Sequence, residues 1–97
     1  MNIKEQILRR QEFNRDALMH LKNKYGDQYK HLWQPISQCI EGIPQQRFAQ
    51  IICNYILPDY RSSYPSEITK DFMEQVFPNN SDPFYEESYI TLKRISQ

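Results

Sequence analysis

The chain has 97 residues, 39% of them hydrophobic, and its twelve Lys and Arg balance twelve Asp and Glu. That is chain enough for one modest core; no apolar run approaches the roughly 18 residues of a membrane-spanning helix, and Met1-Asn2-Ile3-Lys4-Glu5 lacks the apolar centre of a secretion signal. Zero formal charge argues against a general nucleic-acid coat, two glycines leave no phosphate-cradling loop, and two cysteines point to a reducing cytoplasm rather than a disulfide framework.

At about 100° per residue, Ile3, Ile7, Ala17, Leu18, Leu21 and Tyr25 fall on one side of a first helix. Gly26 stands where a left-handed residue would end it, after Lys22 and Lys24, whose charges suit a helix C-terminus. Asp27 is expected to cap a second helix carrying Tyr29, Leu32 and Trp33, which Pro35 interrupts. Ile36, Cys39 and Ile40 continue inward as far as Gly42, so residues 27–42 read as two short helices or one kinked helix. Pro44 suits the first turn of a central helix, with Phe48, Ile51, Ile52, Tyr55 and Ile56 on one face and Pro58 closing it.

Residues 58–65 read as a loop. Ser66 is expected to cap a helix with Ile68, Phe72, Met73 and Val76 inward, ended by Pro78. Asp82 then caps a last helix with Pro83 at its first position and Glu86 and Glu87 in its early turns. Phe84, Tyr85, Ser88, Tyr89, Leu92 and Ile95 form its inward face. No segment alternates with period two, so the expectation is an all-α, compact single domain spanning 1–97, built of five or six short helices.

The arrangements that carry chemistry are thin. His20, His31, Cys39 and Cys53 are 11, 8 and 14 residues apart, and no pair has the two-to-five-residue spacing of a metal site. Neither thiol has a nucleophile's turn context, and Cys53 sits among Ile51, Ile52 and Ile56, where burial makes a thiol inert. Glu86-Glu87 and Asp71 with Glu74 supply paired carboxylates, which most simply are solvated faces and caps. The chain therefore reads as a non-enzyme without metal or cofactor.

Polar residues in apolar faces are more informative. Arg10 and Asn14 fall inside the first helix's stripe, where an unpaired polar group is costly. Arg47, Gln50 and Asn54 share a second face of the central helix, and Asp82, Tyr85 and Glu86 are acceptors or partners for that row. The plainer reading is an internal network docking the last helix; the functional one is a protein or ligand contact.

Two blocks, Arg47-Phe48-Ala49-Gln50-Ile51-Ile52-Cys53-Asn54 and Asp82-Pro83-Phe84-Tyr85-Glu86-Glu87, carry a resemblance. The chain resembles a loose group of small uncharacterised bacterial and phage proteins with the pattern Arg-x-Gly-Gln-x-x-x-Asn and later Asp-x-Phe-Tyr-x-Glu. Ala49 replaces the usual Gly. The resemblance implies a bacterial or mobile-element source and a cytoplasmic setting, and no activity.

Residues 1–47 hold eight Lys and Arg against five Asp and Glu, net +3; residues 48–97 hold four against seven, net −3. Together these readings favour an interaction protein that binds another protein or itself. The alternatives are a DNA-binding accessory with a modified helix-turn-helix around Gly42, and a small nucleotide-binding factor using Arg47, Gln50 and Asn54.

Overall fold

A computed structural model describes residues 2–55, 67–77 and 85–97. They form five α-helical segments and no strand: α1 Ile3–Tyr25, α2 Lys30–Gly42, α3 Phe48–Tyr55, α4 Glu67–Val76 and α5 Ser88–Ile95. The all-α expectation holds. The radius of gyration, 12.9 Å, is close to the about 12.5 Å of a compact domain this long.

α1 is the spine, with α2 and α5 both packed along it. Asn2 caps its start by accepting from the Glu5 N–H at 2.8 Å. Gly26 ends it with φ +55°, a conformation glycine adopts without strain, and donates its own N–H to the Lys22 carbonyl. Ala17, Leu18 and Leu21 enter the core as expected. Ile3 does not: it is 74% exposed. Ile7, a turn further on, is half-buried, so the apolar stripe enters the core only after the first turn.

Asp27 caps nothing; it lies in a 3-10 turn, Gly26–Tyr29, and α2 starts after Tyr29 without a side-chain cap. Pro35 sits inside one continuous α2. The hydrogen bond it cannot make belongs to the His31 carbonyl, and both residues are exposed, so water replaces the lost donor. Tyr29, Trp33 and Phe72 meet edge to face at centroid distances of 5.3–6.3 Å and hold α4 against α2. Phe48, Ile51 and Ile52 complete the core centre, each fully buried.

Two helix starts differ from expectation. α3 begins at Phe48 rather than Pro44, which lies in a turn closed by the Gln46 N–H donating to the Ile43 carbonyl at 3.1 Å. α5 begins at Ser88, so Glu86 and Glu87 precede the helix instead of lining its first turns. Of the expected inward face, Ser88 is buried and Leu92 and Ile95 are half-buried against the core, whereas Tyr85 and Tyr89 are 83% and 56% exposed and Thr91 is buried instead. Asp82, Pro83, Phe84, Ile56, Pro58, Ser66 and Pro78 lie outside the described residues, as do the side chains of Tyr55 and Ile68.

Candidate functional site

The residues that broke the apolar stripe of α1 meet at one junction. Asn14 is fully buried. Its Nδ2 donates to the Gln46 carbonyl at 2.8 Å, and its Oδ1 accepts from the Ser88 hydroxyl at 2.5 Å. Ser88 Oγ in turn accepts from the Phe48 N–H at 3.0 Å. A helix start leaves its first N–H groups without partners, and here a hydroxyl from α5 takes one of them. The donor and acceptor roles close without conflict from α1 through α5 to α3.

Arg10 borders the same junction. Its Nη1 donates to the Gln45 carbonyl at 2.7 Å, and its Nη2 lies 3.5 Å from Glu87. The carbonyls of Gln45 and Gln46 are thus both taken by α1 side chains. In a helix beginning at Pro44, the Gln46 carbonyl would be committed to the Gln50 N–H instead. Gln46 lies before α3, with Asn14 as a donor to its carbonyl. Gln46's own side-chain oxygen is buried without a partner.

Arg47, Gln50 and Asn54 do not act as one row. Arg47 lies over the Tyr85 ring at 5.8 Å, so it does meet the approach to α5. Gln50 accepts from the Arg47 N–H at 3.3 Å, the return half of a capping box. Asn54 is exposed. Glu86 turns away from Arg47: its Oε1 accepts from Thr91 Oγ1 at 2.5 Å and from Arg94 Nη2 at 2.8 Å. Arg94 also donates to the Val76 carbonyl at the end of α4 and stacks on Phe77 at 5.0 Å. Asp82 falls outside the described residues.

Sequence reading missed Gln11 and Arg94; it set Ser88 on the inward face and Glu87 near the helix start without their partners. Gln11 continues the helical spacing of Asn14, Leu18 and Leu21, and its Nε2 donates to the Ile40 carbonyl at 3.0 Å. That periodic position was visible; the partners of Ser88 and Arg94, 74 and 18 residues away, were not.

A second polar latch joins the 3-10 turn to α4. The Tyr29 hydroxyl donates to Asp71, which also accepts from Gln28 at 3.1 Å. Burial, and then the bond to Asp71, push the Tyr29 phenol well above the ordinary tyrosine value. The folded chain therefore holds the protonated phenol, and this contribution is fully present below the unfolded-chain value near 10. It is lost as pH rises toward the folded value. Urea unfolding between about pH 9 and 11 should show wild-type stability falling more steeply than that of Tyr29→Phe. Equal slopes would show that the phenol ionises alike in both states.

Two shallow clefts flank α1. One, about 240 Å³, lies against the start of α5 and is lined by Arg9, Arg10, Phe13 and Tyr89 among others. The other, about 280 Å³, lies against α2 and is lined by Leu18, Met19, Lys22 and Ile40 among others. Arg15 donates two bonds to Glu41 at that cleft, 2.8 and 2.6 Å, and holds the Glu41 carboxyl below its ordinary value. Arg47, Gln50 and Asn54 line neither cleft. His20 and His31 are exposed, Trp33 and Cys39 buried, and Cys53 half-buried. The start of α3, which a helix-turn-helix would offer to a groove, is buried at Phe48 and Ala49. Among the described residues no helix is long and apolar enough to cross a membrane. Comparison with protein-family models, with curated proteins and with solved structures finds no match to this chain.

Proposed function

We propose that this chain is a small non-enzymatic interaction protein that binds another protein or itself. One observation carries the reading: the unusual polar residues are satisfied inside the fold, while large apolar side chains stand outside it. Arg10 and Asn14 are bonded at the junction. Ile3, Leu8, Tyr85, Tyr89 and Ile90 are 43–83% exposed, around the starts of α1 and α5. The Arg10–Glu87 and Asn14–Ser88 links set the start of α5 against the middle of α1. Tyrosine and arginine are typical anchors of protein interfaces, and a rigid junction beneath them lowers the ordering cost of binding. A bacterial or mobile-element source and a cytoplasmic setting belong to this reading. Its supports are the two-block resemblance and a count of only two cysteines, too few for a disulfide framework.

The test is sedimentation across a concentration range, with affinity capture from lysate, for wild type and a Tyr89→Ser/Ile90→Ser variant. Both residues are exposed, so folding should change by no more than about 0.5 kcal/mol per site. Complex formation should fall about tenfold or more. A wild-type chain that stays monomeric and captures nothing would overturn the reading.

A further inference from the structure

The outer flank of α1 carries a stripe of residues that the fold leaves exposed. Glu5, Leu8, Glu12, Arg15, Met19 and Lys22 recur at alternating spacings of three and four residues, and all six are exposed. That spacing keeps all six on one face of the helix, two of them apolar and four charged. Leu8 and Met19 are 51% and 57% exposed, although both are large apolar residues in a long, capped helix. The seam spans roughly 25 Å at 1.5 Å per residue.

The order of the six residues is self-complementary. Laid antiparallel on a copy of itself, with the two-fold axis between Phe13 and Asn14, the seam sets Leu8 against Met19 of the copy. Glu12 then faces Arg15 of the copy, and Glu5 faces Lys22 of the copy. Every pair occurs twice, as a two-fold interface demands. A parallel arrangement would instead set Glu5 on Glu5 and Arg15 on Arg15. Arg15 keeps its bond to Glu41 and gains a second carboxylate. The cleft between α1 and α2 opens beside Met19, floored by Leu18 and Ile40, where an incoming leucine finds apolar surface.

We infer that the outer flank of α1 is a self-association surface that pairs antiparallel with α1 of a second copy. This rests on the interaction reading above and names its partner. With two apolar residues per copy the contact is small, so the dimer is weak, with a dissociation constant on the order of 100 µM.

Sedimentation equilibrium of the full chain up to about millimolar concentration tests it. Leu8→Glu or Met19→Glu should weaken the dimer about a hundredfold, since the two-fold axis doubles each loss. Glu5→Lys alone and Lys22→Glu alone should each weaken it about tenfold by setting like charges opposite. An equimolar mixture of Glu5→Lys and Lys22→Glu chains should restore it, because each variant then faces its opposite charge. Circular dichroism checks that every variant remains helical. A wild-type chain monomeric at millimolar concentration overturns the proposal, as does a mixture that fails to recover. A dimer indifferent to all four substitutions but lost in Tyr89→Ser/Ile90→Ser overturns the seam and leaves the interaction reading intact.

Discussion

Replacing Asn14 by alanine is expected to cost about 2–4 kcal/mol of folding stability, read from urea or thermal unfolding. Part of this is the void left at a fully buried site. The rest is the desolvation of groups left without partners: the Gln46 carbonyl loses its donor, and the Ser88 hydroxyl loses its acceptor. A domain this size holds only about 5–15 kcal/mol in all, so the loss is a large share. Ser88→Ala removes the other side of the same junction and strands the Phe48 N–H. The two substitutions together should cost less than their sum, by about 1–2 kcal/mol, because the second removes a bond already broken. Strict additivity would mean that Asn14 and Ser88 do not meet. Asn14→Asp is the sharper variant. It keeps the acceptor, abolishes the donor to Gln46 and buries a charge, so at neutral pH it should be less stable than Asn14→Ala. Its deficit should shrink on acidification, as the carboxyl takes up a proton.

Phe72→Ala should cost about 3–5 kcal/mol and loosen α4 before the rest of the chain unfolds. Phe72 is fully buried and packs edge-on against Tyr29 and Trp33. With Met73, Val76 and Phe77 it places α4 and the residue after it in the core, and polar fastenings there include Tyr29 and Gln28 with Asp71 and Arg94 with the Val76 carbonyl. Removing the ring leaves a cavity beside the chain's single tryptophan. Trp33 emission should therefore shift to longer wavelength at lower urea than the loss of helical ellipticity. Coincident transitions would show that α4 unfolds only with the whole domain.

These two experiments address the parts of the fold least accessible to sequence reasoning. Periodicity is a property of one helix at a time, and it located α1, α2 and the buried faces at Leu18, Leu21, Ile36 and Phe72. It also marked Arg10 and Asn14 as out of place, and they are the α1 members of the junction. The same reasoning set Ile3 inside, because a stripe on a helix does not reveal where the neighbouring helices end. It also set Tyr85 and Tyr89 inside: Tyr85 precedes the helix, where helical spacing does not apply, and the buried face of α5 runs through Ser88 and Thr91 with Tyr89 outside it.

What the sequence determined by itself was the class of structure and the sites of local conflict. Proline and glycine punctuation, helical spacing and the absence of alternation leave an all-helical body as the consistent solution, and those signals act within a few residues. Only the tertiary structure decided which polar group answers which. Whether the Gln46 carbonyl belongs to α3 or to Asn14, and whether Glu86 serves Arg47 or Arg94, depends on groups far apart in the chain. A buried donor or acceptor must be matched wherever packing brings it. That long-range accounting ties Gln46, just before α3, to Asn14 in the middle of α1.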